Sequence, residues 1–264
     1  MYSPKEIAER YVAIGAAKAG LPASSMLILG IFAGAFIAFG ALASQIIAVS
    51  ISLPSVAKCA GAAVFPIGLM LVLCAGGELF TGNCLMIIPL LEKKITAGGM
   101  LKNWVLVYAG NFIGSILVAM AAAYGHVYSL FDGKTAEAVV STSLSKTALS
   151  FPDALIRGIL CNIMVCLAVW VSFAAKELAG KIIGLMLPIF LFVLCGFEHS
   201  VANMYFVPAG FFASAQYGIP AEGLSAGAFL LRNLLPVTIG NIIGGSLIVG
   251  AGYWFVYLRE RKNG

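Results

Sequence analysis

From Lys181 to Glu222 the chain runs through forty residues whose only acidic, basic or imidazole side chains are Glu198 and His199. That length exceeds the ~20 residues one helix needs to cross a hydrocarbon core of ~30 Å. An adjacent acid and imidazole near its middle can be held only where protein or a water-lined cavity receives them. The segment is therefore expected to be a membrane span broken around Gly196–Asn203, with the break facing a cavity.

The rest of the chain is of the same kind. With 264 residues, 61% hydrophobic, 10% charged and a mean hydropathy of +1.01, it reads as an all-α, polytopic membrane protein. A nucleic-acid partner is not indicated by the net charge of +5, because the basic residues fall where membrane topology wants them. No basic start followed by a short apolar run and a small-residue cleavage site is present, so no cleaved signal peptide is expected. The six cysteines lie in or beside apolar segments without a CxxC pair, which suits reduced, buried thiols and neither a disulfide framework nor a metal site. His126 is read as exposed or interfacial.

Residues 1–20 open with a capping box, Ser3 with Glu6 and Pro4 between them, and continue as an amphipathic helix expected to lie peripherally on the membrane surface. Pro22 and Pro54 frame a first span, in which Gly30 and Gly34 have the spacing of a helix-packing motif. The second segment, Cys59 to Leu91, is too long for one upright span and is interrupted at Gly76-Gly77-Glu78-Leu79-Phe80-Thr81-Gly82-Asn83. Spans three, four and six end near Tyr124, Lys176 and Leu258, and residues 125–153 read as the longest loop. A basic tail, 259–264, closes a single transmembrane domain. Eleven Lys and Arg fall on the side of the termini and five on the other, which predicts cytoplasmic termini in the cell's inner membrane. It also places Lys146 on the outer face.

Two alignments within the chain reveal an internal repeat. Lys102-Asn103 set against Arg232-Asn233 brings Gly110-Asn111-Phe112-Ile113-Gly114 beside Gly240-Asn241-Ile242-Ile243-Gly244, and the spacing from Glu78 to Asn83 recurs from Glu198 to Asn203. Three spans repeated once enter a bilayer from opposite sides, so the expected fold is two inverted three-helix repeats with the second and fifth helices broken at the midplane. Gly76, Gly77 and Gly196 are expected to end half-helices in a left-handed conformation. Asn83 and Asn203 would cap the half-helices that follow, whose N-termini would turn partial positive charge towards a pore. Glu78 and Glu198 would support the loops by accepting freed backbone donors.

Four stretches resemble the formate/nitrite transporter family: GELFTGN at 77–83, CNIMVCLAVW at 161–170, GFEHSVANM at 196–204 and NLLPVTIGNIIGG at 233–245. The resemblance implies an aquaporin-like protomer in a homopentamer, with formate, nitrite or hydrosulfide as permeant, no cofactor and no metal. It implies that His199 is the central pore histidine, Thr81 the hydroxyl opposite it, Asn162 the pore asparagine of the fourth span and Lys146 a vestibule lysine. Leu79, Phe80 and Phe192 correspond to constriction residues. On composition alone the two Phe residues, among seventeen, are ordinary packing, and Thr81 equally suits a hydroxyl bonded back to irregular backbone.

These readings converge on an anion channel. A small anion is costly to desolvate, and a histidine, with a reference pKa of about 6.5, can donate a hydrogen bond or a proton to it in transit. Formate is the first expectation, with hydrosulfide and nitrite as alternatives. An intramembrane enzyme is disfavoured, because no HExxH, nucleophile elbow or paired aspartates occur. An Asn-Pro-Ala water pore is excluded, since Asn83-Cys84-Leu85 and Asn203-Met204-Tyr205 stand at the equivalent places.

Overall fold

In the computed structural model, which describes residues 1–259, the chain folds into helices joined by short connections. Helix α1 covers Pro4–Ala19 and α2 covers Ala23–Ala48. Helices α3 (Pro54–Gly76) and α4 (Phe80–Leu91) form the broken second segment, and α5 spans Ala97–Tyr124. The second half repeats the series with α6 (Lys134–Thr147), α7 (Phe151–Ala174), α8 (Leu178–Leu194), α9 (Ser200–Tyr217) and α10 (Ala228–Tyr257). Five of these, α2, α3, α5, α7 and α10, are long and apolar enough to cross a membrane, and α4 and α8 are shorter apolar helices.

Glycine sets the packing within each half. Gly30 and Gly34 of α2 lie against Val107, Gly110 and Asn111 of α5, so closely that a Cβ on Gly34 would overlap the Asn111 backbone. In the second half, Gly158 of α7 meets Val237 and Gly240 of α10, and Gly244 meets Ile159. Small residues at such crossings bring backbones together where no water is present to drive association.

One expectation is corrected here. The stretch 125–153 is no extended loop, because α6 occupies its middle with Val139, Val140, Ser143 and Thr147 buried. Helix α1 has its capping box as expected, and one face of it packs on the protein, with Ile7, Ala8, Tyr11 and Gly15 buried. The Tyr11 hydroxyl donates to the Gly82 carbonyl (3.3 Å) and its ring packs edge-on against Phe173. An apolar stripe that suits a lipid surface suits a protein groove equally well, and tertiary packing supplied the groove. Of the basic tail, only Arg259 lies within the described residues.

Candidate functional site

The site is assembled from the two helix breaks. Helix α3 ends in a wide turn over Val72–Gly76, with Gly76 at φ +95°, and α8 ends before Gly196 at φ +69°. Both glycines adopt the left-handed conformation expected of them, whereas Gly77 is extended at φ −165°. After each left-handed glycine the chain runs three residues before α4 and α9 begin.

Backbone groups freed by the breaks find partners in adjacent spans. The Glu78 N–H donates to the Leu29 carbonyl at 3.1 Å, and the Glu198 N–H to the Arg157 carbonyl at 3.2 Å. Asn111 then ties the first break to α2: its Nδ2 donates to the Gly30 and Glu78 carbonyls (2.8 and 2.9 Å), and its Oδ1 accepts from Phe80 N–H (2.9 Å). Asn241 repeats this with the Gly158 and Glu198 carbonyls (2.8 and 3.0 Å) and the Ser200 N–H (2.9 Å). These two asparagines, rather than Glu78 and Glu198, hold the freed backbone.

The acids have another task. Glu78 accepts from Lys18 Nζ at 2.6 Å and from Asn83 Nδ2 at 2.7 Å, and Asn83 also donates to Asn103 Oδ1 at 2.8 Å. Glu198 accepts from Lys146 Nζ through both oxygens, at 2.9 and 3.0 Å, and from Asn203 Nδ2 at 2.7 Å, while Asn203 reaches Asn233 Oδ1 at 2.8 Å. Asn103 and Asn233 close the two networks by donating to the Lys18 and Lys146 carbonyls (3.3 and 2.9 Å). Asn83 and Asn203 therefore do not cap α4 and α9; they lie within those helices and bind the acids. Three of the first-turn N–H groups are met by side chains, with Asn111 on Phe80, Asn241 on Ser200 and His199 on Ala202. Those donors are not open to an anion.

His199 and Thr81 join one break to the other. The imidazole Nε2 lies 2.9 Å from Thr81 Oγ1, and Nδ1 lies 3.0 Å from the Ala202 N–H. A backbone N–H can only donate, so Nδ1 must carry the lone pair. Neutral His199 therefore bears its proton on Nε2 and donates it to Thr81.

Two cavities approach this pair. The wider, about 740 Å³, is lined by His199, Glu198, Lys146, Phe192, Phe65 and Lys58 among others. The narrower, about 60 Å³, is lined by Tyr11, Lys18, Gly77, Leu79, Gly82 and Asn83 among others. Phe192 stands between Phe65 (centroids 5.5 Å apart) and the His199 ring (5.9 Å). Leu79 and Phe192 thus border the two sides of the Thr81–His199 contact. Phe80 lines neither cavity; it packs edge-on against Trp104 and Tyr108. Asn162 is buried behind the pair, donating to the Thr81 and Asn241 carbonyls at 3.2 and 2.6 Å.

Lys18, Asn103, Asn111, Asn233 and Asn241 join the site without standing out in the motifs. The signal was present for all five: the repeat pairs Asn103 with Asn233 and Asn111 with Asn241, and carrying it back to the segments before α2 and α7 pairs Lys18 with Lys146.

A family model described as "Formate/nitrite transporter" matches residues 5–255. The chain belongs to the formate/nitrite transporter family. It is 40% identical over 267 aligned positions to the formate channel BtFdhC of Bacillus thuringiensis, covering 99% of this chain and 98% of the relative. Among solved structures it is similar to an "FNT family ion channel", with TM-score 0.86 and 30% identity over 95% of this chain and 98% of the other. A "Pentameric formate channel with formate bound" matches with TM-score 0.79 and 33% identity over 90% of this chain and 98% of that one. Members of the formate/nitrite transporter family are multi-pass membrane transporters, and the relatives matched here are channels rather than enzymes.

Proposed function

We propose that this protein conducts small monovalent anions across the cell's inner membrane, with formate as the main permeant, as a homopentamer of single-domain protomers whose termini are cytoplasmic. The observation that carries the reading is the Thr81–His199 contact at 2.9 Å, which links two duplicated helix breaks where a wide and a narrow cavity approach each other. The formate-channel relative and the formate-bound pentamer support the choice of anion and assembly.

In this reading Leu79 and Phe192 form the apolar constriction and His199 is the polar group an anion meets inside it. Neutral His199 gives a hydrogen bond through Nε2–H once the anion displaces Thr81. Giving the proton itself would leave an imidazolate, so transfer requires His199 to be imidazolium first. The incoming proton must go to Nδ1, which breaks the bond with Ala202 N–H. Acid pH therefore favours protonation of the permeant, and a neutral acid crosses an apolar ring more cheaply than its anion. Asn162 orients Thr81 by holding its carbonyl, and the acids with Asn83 and Asn203 keep the two breaks in register. Phe80 shapes the constriction from behind, through its packing on Trp104 and Tyr108.

Uptake of formate, nitrite and hydrosulfide into proteoliposomes across pH, compared for wild type and His199→Asn, tests this. The variant is expected to lose the rise in formate flux at acid pH. Equal flux and equal pH dependence in both proteins would sink the proposal.

A further inference from the structure

Two cations line the wide cavity, and only one carries uncompensated charge. Lys146 is held by both oxygens of Glu198. Lys58 is exposed and makes no ion pair among the described residues. A net positive wall therefore depends on Lys58, and field from a charge in a concave, low-dielectric wall gathers anions.

Close helix contacts show where Lys58 stands. Gly40 of α2 lies against the Phe65 carbonyl, which puts that point of α2 level with the Phe65–Phe192 pair. One turn earlier on α3, Gly61 lies against Ser44, and one turn before that comes Lys58. Lys58, then Ser44 and Gln45, then the aromatic pair, then His199 is thus the order from the rim inward.

Gln45 is the second, independent observation. It lines the same cavity, is 8% exposed, and neither its Nε2 nor its Oε1 has a hydrogen-bond partner among the described residues. Buried polar side chains without partners are rare in folded proteins, and an amide left so at the wall of a cavity is relieved when a polar ligand arrives. In the present rotamer both amide atoms sit just under the wall. A ligand station at Gln45 therefore requires a turn about its side-chain torsions that brings the amide into the cavity.

We propose that Lys58 and Gln45 form a binding station for small carboxylates in the wide cavity, one to two turns outside the aromatic pair. The proposal rests on reading the cavity as an anion path. Lys58 supplies charge and draws any small anion. Gln45 supplies shape, because a carboxamide presents one NH₂ donor beside one carbonyl acceptor. The NH₂ donates to one oxygen of a carboxylate while Lys58 meets the other, and with the protonated acid the amide makes a two-bond ring. Hydrosulfide has a single heavy atom, a weaker acceptor that cannot bridge the two groups as a carboxylate does, and so gains less from Gln45.

The test is stopped-flow uptake into proteoliposomes holding wild type, Lys58→Met or Gln45→Leu, with formate and hydrosulfide as probes, alongside thermal unfolding of each protein. Lys58→Met is expected to raise the half-saturating concentration for both anions, with the difference from wild type shrinking at high salt as the charge is screened. Gln45→Leu is expected to raise it about three- to tenfold for formate, the worth of one or two ordinary hydrogen bonds, and to raise it by a smaller factor for hydrosulfide. Its unfolding temperature should equal or exceed that of wild type, since an unpartnered amide has gone. An unchanged formate value in Gln45→Leu, an equal loss for both anions, or a lowered unfolding temperature would overturn the station. A wild type that carries none of these anions would overturn the channel reading and this one with it.

Discussion

The two helix breaks share a frame and differ in chemistry. Each has a left-handed glycine, a carboxylate bound by a lysine and an asparagine, a second asparagine behind the first, and a third fastening the loop backbone to the neighbouring span. Of the five positions at which the two sequences differ, two set the chemistry of the path. Leu79 stands where the other break has His199, and Val201 stands where the first has Thr81. The frame answers a need both breaks have, the pairing of every backbone group away from water. The imidazole and the hydroxyl answer a need that exists once, where the path narrows.

The largest test of that comparison removes the acids. Glu198→Gln leaves Lys146 largely buried beside a neutral amide, and Glu78→Gln does the same to Lys18. Breaking one side of a buried ion pair costs about 3–5 kcal/mol. Glu198→Gln is expected near the upper end, because Lys146 is 14% exposed and doubly bonded, and Glu78→Gln lower, because Lys18 is 21% exposed and singly bonded. Chemical unfolding in detergent micelles reads both, and a larger loss for Glu78→Gln would break the comparison.

A smaller effect is expected from the loop asparagines. Asn111→Ala and Asn241→Ala each strip partners from two carbonyls and one N–H. Leaving a buried group unpaired costs about 1–3 kcal/mol. The two losses should agree within about 0.5 kcal/mol and add in the double variant, as for sites without shared partners. Unequal losses would show that the frame is not symmetric in energy even though it is in geometry.

The least effect concerns α1, the element that sits over the narrow cavity. Glu6 accepts from Ser3 N–H at 2.7 Å and Ser3 Oγ accepts from Glu6 N–H at 3.3 Å. The Ser3 backbone bond, followed by its side chain, holds the Glu6 carboxyl below its ordinary value of 4.5. A lowered folded value means the cap's contribution is complete above about pH 4.5 and disappears as pH falls through the lowered value. Hydrogen exchange of residues 4–10, corrected for intrinsic rates, should rise modestly at pH 3 relative to pH 7. Glu6→Gln should abolish that pH dependence.

Much of this molecule was legible in its sequence because a bilayer leaves few options. Uncharged runs give the spans, an acid and a histidine within forty apolar residues give a break, and the repeat gives its partner. The capping box at Ser3 and the glycine crossings at Gly30 and Gly34 depend only on local spacing, and they stand as expected. What the sequence left open was which groups meet across the chain. Asn83 and Asn203 have the composition of caps, yet bind acids five residues away, because Asn111 and Asn241 from other spans reach the helix starts first. A stretch that reads as a loop holds α6, and a helix that reads as peripheral fills the narrow mouth, because an apolar stripe does not specify whether lipid or protein will cover it. Hydrophobic pattern and backbone demand are properties of the chain itself. The partner of each polar group, from Lys18 on Glu78 to Thr81 on His199, is fixed only when distant segments pack.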